Sequence, residues 1–324
     1  MKYFLIMNPK ARGGKSQKLF DLIFTLLNNA NIVYDYRITS SIVDAYEFSV
    51  YANTEQFDVV VAIGGDGTIN AVLNGFYNKN GKKISGSSMG VIYTGTSPDF
   101  CKSYNIPINT KRAVQTLIEN NRIKIGIGKL TYSVKNDINF NEQLLKDNQN
   151  KEVRYFGCCA NIGLGAPVAR RANNGIRKYL GDFMGTLFSL FITIVKYRAN
   201  NFYIIKDGVK TTITKLYNLS IGRTKYIASG IKVHNSIGLK ERKFYCLAAR
   251  NFTILNLPRI LIKAYSGKKI KNTNLFYLDY ITQIEVKGNF KNPEIELDGD
   301  PIGYLPCKIE LANDYLVLIT KKSH

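Results

Sequence analysis

Residues 59–75 read VVVAIGGDGTINAVLNG, and the fold class follows from them. The apolar run 59–63, directly after Asp58, predicts a strand buried on both faces. It ends in Gly64-Gly65-Asp66-Gly67-Thr68, and Ile69, Val72, Leu73 and Phe76 recur behind it at helical spacing. A strand, a glycine turn and a helix N-terminus together make an anion site. The first-turn amides have no partner inside the helix, the dipole favours negative charge, and glycines let a phosphate approach the backbone. An acid within such a turn repels a phosphate unless a cation stands between them, so Asp66 points to a metal-bound nucleotide polyphosphate. An ordinary β-turn rich in glycine and aspartate accounts for any two of these residues, but not readily for all five in this setting.

Outward from this stretch, the first 125 residues alternate strand and helix patterns. Strands are predicted over 3–7, 32–38 and 89–93, and helices over 19–27, 43–52 and 110–119, the last preceded by a turn at Pro107. Such alternation gives a parallel, three-layer α/β sheet with its ligand site at the carboxyl ends of the strands, in the loops after Met7, Ile63 and Tyr93. After about Ile123 the pattern changes. Segments 124–134, 153–162, 202–205, 211–221, 243–248, 281–286, 294–297 and 315–320 read as strands, and only 175–197 and 258–264 as helices. An antiparallel β-rich second domain is expected there, with 136–151 as a polar hairpin tip or mobile loop.

At 324 residues, two domains are the default. Apolar content of 45% and aromatic content of 12% exclude gross disorder. The opening MKYFLIMNP is broken too early to be a secretory signal. The longest uncharged apolar run, 183–195, is interrupted by Gly185, Thr186, Ser189 and Thr193 and falls short of the roughly 20 residues a spanning helix needs. Five cysteines without a CxxC pair suit reduced thiols in a cytosol, and two histidines leave little for a zinc site or a histidine-based triad. The net charge of +21 is uneven: residues 1–127 carry 14 Lys and Arg against 9 Asp and Glu, and residues 128–324 carry 31 against 15, or +16. A basic half calls for an anionic partner, while cations scattered along the sequence argue against nucleic acid. A solvated lysine-rich surface accounts for the charge equally well.

Three loops carry the candidate chemistry. Residues 8–16, NPKARGGKS, end like a Walker A loop, but its first glycine would fall on Pro9, so the match fails. The loop still offers helix amides and the cations Lys10, Arg12 and Lys15. The glycine turn is the second loop, and 95–100, GTSPDF, is the third.

At these intervals NPKARGGKS (8–16), GGDGTINAVLNG (64–75) and GTSPDFCKSYNIP (95–107) resemble the diacylglycerol kinase catalytic family, which includes bacterial diacylglycerol and other lipid kinases and the sphingosine kinases. Later blocks match in order: Asn161-Ile162-Gly163-Leu164-Gly165, Ile221-Gly222-Arg223 and Glu296-Leu297-Asp298-Gly299-Asp300. The resemblance covers nearly the whole chain. It implies an N-terminal three-layer α/β nucleotide-binding domain over 1–127, completed by 310–324, and a C-terminal antiparallel β-sandwich lipid domain over 128–309. ATP and substrate would meet in the interdomain cleft. It makes Asn8, Pro9, Lys10, Ala11 and Arg12 the ATP loop, with Thr39 and Thr96 as nucleotide contacts. Gly64, Gly65, Asp66, Gly67, Thr68, Ile69, Asn70 and Ala71 would bind phosphate, and Asp66 would organise a catalytic magnesium through water. Asp298 would be the general base on the acceptor hydroxyl, and Asp300 stands where the family has Glu.

Several positions depart from the family pattern. Ala71 replaces a Glu, Pro98 an Asn, and Ile237 the aspartate that serves a structural magnesium in some bacterial members. An isoleucine side chain cannot ligate magnesium, so that site is expected to be lost or altered. Over 175–197, Leu180, Phe183, Met184, Leu187, Phe188, Phe191, Ile192 and Val195 form an apolar stripe flanked by Arg170, Arg171, Arg177, Lys178, Lys196 and Arg198. The ordinary expectation is a helix covering the β-domain core, and the alternative is an anionic membrane interface. Taken together, the chain reads as a cytoplasmic ATP- and magnesium-dependent lipid kinase that docks transiently on the inner face of the membrane. Diacylglycerol, a sphingoid base or phosphatidylglycerol would be its acceptor, nucleic acid is no partner, and a homodimer is left open. An NAD kinase-like enzyme and a catalytically weakened nucleotide- or lipid-binding regulator are the rival readings.

Overall fold

The computed structural model describes residues 1–134, 151–172, 176–227, 231–233, 237–256, 262, 272–287 and 294–322. The loop read over 136–151 (Lys151 apart) and the helix read over 258–264 (Ile262 apart) lie outside the described residues. Met1–Ile127 and Ala312–His324 form one compact unit, and Gly128–Leu311 forms a second.

The first unit holds β1 (Lys2–Met7), β2 (Val33–Ile38), β3 (Val59–Gly64), β4 (Ser88–Tyr93) and β5 (Arg122–Ile125). Its helices are α1 (Phe20–Asn29), α2 (Ile42–Thr54), α3 (Asp66–Asn74), α4 (Asp99–Ser103) and α5 (Thr110–Glu119). Neighbours run β2, β1, β3, β4, then β18 (Leu316–Ile319), then β5. The first four strands are parallel; β18 adds to β4 in parallel and takes β5 antiparallel. All six residues of β3 are buried, as a strand covered on both faces requires. Tyr3, Leu5, Met7, Val59, Val61 and Ile63 pack with Phe20, Ile23 and Leu27 of α1 and Ala113, Val114 and Leu117 of α5. On the opposite face Phe4 meets Tyr51 of α2 and Phe57, and the Ser49 hydroxyl of α2 donates to the Val72 carbonyl of α3. Alternate side chains thus feed two helical layers, and the sheet is three-layered.

The second unit is antiparallel. Its strands are β6 (Gly128–Ser133), β7 (Lys151–Phe156), β8 (Cys159–Gly163), β9 (Asn200–Lys206), β10 (Val209–Gly222), β11 (Tyr226–Ile227) and β12 (Ile231–Lys232). β13 (Phe244–Arg250), β14 (Phe276–Ile281), β15 (Ile284–Lys287), β16 (Glu294–Leu297) and β17 (Asp300–Leu311) follow, and α6 (Gly165–Arg171) and α7 (Arg177–Lys196) lie between β8 and β9. The main ladder runs β14-β13-β10-β8-β16-β17-β15-β9, and β9 also pairs with β10, so six strands close on themselves. β10 makes this possible by changing partners. Its first half pairs with β9 and its second half with β8 and β13, on either side of a bulge where Lys215 takes φ +49°. Ile162, Phe202, Ile204, Leu219, Ile221, Ile295 and Ile309 lie in the core that the closed ladder encloses.

The structure redraws several sequence expectations. The strand read over 124–134 is two strands, β5 and β6, one in each unit. The strand read over 153–162 is broken at Gly157-Cys158. β17 was not anticipated: Pro301, Gly303 and Pro306 mask its alternation, yet Leu305, Cys307, Ile309 and Leu311 all turn inward. The helix read over 175–197 becomes α7, kinked at Gly181 (φ +76°). Its apolar stripe does not cover the core as expected: Leu180, Met184, Phe188, Phe191 and Val195 are exposed, while Thr186, Ser189 and Thr193 are buried. No helix among the described residues is long and apolar enough to cross a membrane.

Candidate functional site

In the first unit, the loops after β1, β2, β3 and β4 are tied together at the carboxyl ends of their strands. Asn8 is the knot. Its N–H donates to the Ile63 carbonyl at 2.8 Å, its side-chain amide donates to the Thr68 hydroxyl at 2.9 Å, and its Oδ1 accepts from Lys10 N–H at 3.0 Å. The loop after β1 is thereby fixed against the first turn of α3. Its next residues turn through three consecutive positive φ values, at Arg12, Gly13 and Gly14. Lys10 and Arg12 are exposed, and Lys10 Nζ reaches the Ser40 carbonyl at 3.0 Å. Buried Thr39 donates its N–H to the Met7 carbonyl at 2.9 Å, which brings the loop after β2 alongside.

The loop after β4 joins through Ser16, whose hydroxyl shares a 2.8 Å hydrogen bond with that of Thr94, and through Thr94 N–H, which donates to the Gly64 carbonyl at 2.9 Å. Here two glycines are required by contact. A Cβ on Gly95 would lie 2.6 Å from the Gly65 Cα, and one on Gly64 would lie 2.4 Å from the Thr68 hydroxyl. Gly65 caps α3 in an extended conformation, and the helix ladder begins with Ile69 N–H on the Gly65 carbonyl. Asp66 therefore heads the helix, half-buried; burial, with the Asp66 charge adding to it, pushes the Cys101 thiol of α4 well up. Thr96 is exposed, while Asn70 and Ala71 are half-buried on α3. The structure thus brings Asn8, Lys10, Thr39, the Gly64–Thr68 turn and the Gly95 loop into one cluster.

The second unit holds the acidic turn between β16 and β17. Asp298 takes a left-handed φ of +48° and Gly299 one of +104°. The Asp298 carboxylate accepts three main-chain N–H groups: Gly157 on Oδ2 at 3.0 Å, and Cys158 and Cys159 on Oδ1 at 3.1 and 2.9 Å. Its own N–H donates to the Cys159 carbonyl at 3.1 Å. These bonds explain why the expected long strand breaks into β7 and β8: the amides at the break serve the carboxylate instead of a ladder. Asp300 is exposed.

Glu296, which the sequence did not single out as a site residue, is buried beside them. It accepts from Gly299 N–H and, at 2.5 Å, from the Asn161 side-chain amide. Asn161 Oδ1 in turn accepts from the Ser220 hydroxyl at 2.6 Å and the Asn218 amide at 3.0 Å, and Asn218 Oδ1 receives Gly165 N–H at 2.9 Å. Burial pushes the Glu296 carboxyl up to about 7, with the charges of Asp298 and Asp300 adding to it and the two donors opposing. Its one sequence signal was its place in the Glu296-Leu297-Asp298-Gly299-Asp300 block, since strand alternation sets it on the face opposite Ile295 and Leu297. Around Ile237, the loop is held by the Arg223 guanidinium, which donates to the carbonyls of Gly238, Leu239 and Lys243.

The profile of the diacylglycerol kinase catalytic domain matches residues 2–130. The diacylglycerol kinase of Staphylococcus saprophyticus subsp. saprophyticus is 28% identical over 302 residues, covering 93% of this chain and 90% of that protein. The diacylglycerol kinase of Staphylococcus carnosus is 21% identical over 318 residues, covering 98% and 94%. A crystal structure of a diacylglycerol kinase from Bacillus anthracis str. Sterne superposes with a TM-score of 0.68 at 18% identity, over 99% of this chain and 97% of that one. That likeness speaks for the shared fold.

Proposed function

We propose that this chain, whose residues 2–130 match the diacylglycerol kinase catalytic domain, is a lipid kinase of that family and transfers the γ-phosphate of ATP to a hydroxyl of a membrane lipid. The supporting observation is the four-loop cluster around the N-terminus of α3. It assembles helix amides, glycines that admit a phosphate, exposed cations and one carboxylate, which are the parts phosphoryl transfer needs. Diacylglycerol, a sphingoid base and phosphatidylglycerol are the candidate acceptors. The +16 charge of residues 128–324 favours work at an anionic surface, the cytoplasmic face of a membrane.

In this reading, the first-turn amides of α3 hold the phosphates and Asn8 keeps Thr68 and the β1 loop in place for them. Lys10 and Arg12 offset phosphate charge from the solvent side, and Thr39 and Thr96 bound the nucleotide. The donor set suits magnesium, which binds through one or two carboxylates while keeping phosphate oxygens and waters as its other ligands; Asp66 would be that carboxylate. When bound, the ion neutralises charge developing on the phosphate oxygens. Asp298 acts as the base on the acceptor hydroxyl. Its Oδ1 already accepts two amides, so the proton arrives on Oδ2. Glu296 holds the turn that presents Asp298, through Gly299 N–H.

The test is transfer of labelled phosphate from ATP to a panel of diacylglycerols, sphingoid bases, polyprenols and phosphatidylglycerol, with NAD included. Labelled lipid is the expected product. Label on NAD alone would select an NAD kinase, and ATP bound without any transfer would select a regulator.

A further inference from the structure

Helix α7 has its polarity reversed for a helix lying on a core. Leu180, Met184, Phe188, Phe191 and Val195 are 49, 53, 47, 48 and 49% exposed. The last four recur at intervals of 4, 3 and 4 residues, which places them in one stripe along the helix. The buried face is mostly small and hydroxylated: Thr186, Ser189 and Thr193 are buried together with one large apolar residue, Ile194, and the Thr193 hydroxyl is satisfied by the Ser189 carbonyl at 2.6 Å. Tyr179, ahead of the Gly181 kink, is almost fully exposed. The helix thus turns mostly small residues inward and leaves Met184, Phe188, Phe191 and Val195 as an outward apolar stripe, with Leu180 exposed ahead of the kink, a pattern that marks an interaction surface.

The charges around the stripe identify its occupant. From residue 177 to 198 the sequence carries four cations, Arg177, Lys178, Lys196 and Arg198, against one acid, Asp182; Arg170, ahead of them, is paired with Glu294. Lys196 and Arg198 are exposed at the C-terminal end of the stripe. A second copy of this chain would bring two such cationic rims together, which is repulsive. An anionic bilayer offers apolar depth for the stripe and phosphates for the rim, with an amphipathic tyrosine suited to the headgroup level.

We propose that α7 is an in-plane membrane anchor: the stripe from Leu180 to Val195 inserts into the headgroup boundary of an anionic leaflet, and the flanking cations hold it there. This rests on the lipid-acceptor reading above and adds the face by which the enzyme reaches that acceptor.

The chain contains no tryptophan, so Phe188→Trp places a single reporter on the stripe. Vesicles of 30% phosphatidylglycerol in phosphatidylcholine should shift its emission to the blue, and brominated lipid should quench it. Pure phosphatidylcholine should do so at least about tenfold less effectively at equal lipid, because the cations lose their partners. In the Phe188→Glu/Phe191→Glu variant, sedimentation with the same vesicles should weaken at least about tenfold. Its melting temperature, and its transfer to a short-chain diacylglycerol below the micelle concentration, should stay within twofold or a few degrees of the parent. Three results overturn the anchor: no emission shift, undiminished vesicle binding by the double variant, or a parent dimer that the double variant turns into a monomer. Vesicle binding lost in the variant while the parent phosphorylates no lipid would uphold the anchor and overturn the kinase reading alone.

Discussion

Glu296 and Asp298 lie two residues apart and are held in different ways, which gives each its own measurable consequence. Glu296 has an ordinary value of 4.5 and a folded value near 7, because burial disfavours its charge. Below about 4.5 it is protonated in both the folded and unfolded chain. Between those values the unfolded chain ionises first, so stability falls as pH rises, and above about 7 the whole loss, about 3 kcal/mol, remains. Replacing Glu296 by Gln removes the ionisation. Denaturant titrations should therefore show Glu296→Gln gaining on the parent by roughly that amount between pH 5 and pH 8; a constant difference would mean the carboxyl is not burdened by burial. Asp298→Asn puts an N–H where Oδ2 meets Gly157 N–H, so it should lower the melting temperature as well as cut transfer by about 100-fold or more. Nucleotide affinity, which the proposed function assigns to the other unit, should be unchanged. Asp66→Ala should lose both turnover and magnesium-dependent nucleotide affinity, measured by titration calorimetry with and without the metal.

The elements around the four-loop cluster are held by backbone approach as much as by side chains. Gly95→Ala forces a methyl group onto the Gly65 backbone and the Tyr93 hydroxyl, so the loop after β4 must move away from α3. Nucleotide affinity should fall about tenfold or more while the melting temperature drops by only a few degrees, a loss of about 1–2 kcal/mol. Much of this was readable beforehand. β3 is an uninterrupted apolar run closed by glycines, so both its burial and the turn after it follow from composition alone. The Asn8–Thr68 bond spans 60 residues and left no local trace. β17 was hidden because its inward residues are interleaved with two prolines and a glycine, which in a single sequence read as breakers. The break between β7 and β8 escaped notice because its cause, the Asp298 carboxylate, lies about 140 residues further along. The face of α7 was misjudged because periodicity reveals that a helix has an apolar side and says nothing of what that side meets.

At the scale of the molecule, the first unit is discontinuous: β18 lies between β4 and β5, with Leu316 and Leu318 fully buried. A chain ending at residue 311 would leave two open strand edges in place of that pairing. It should bind no ATP and aggregate, and a peptide of residues 312–322 added in trans should restore some binding; nucleotide binding by the truncated chain alone would show that β18 is dispensable. The same threading sets a clock on biosynthesis. Roughly 190 residues separate Ile125 from Leu316, on the order of 10–40 s of synthesis at ~5–20 residues per second. Throughout that interval the six-stranded sheet lacks the strand between β4 and β5, and only after residue 319 emerges can it close. On the proposed function, a nascent chain would therefore gain its nucleotide site only after the whole second unit has been synthesised.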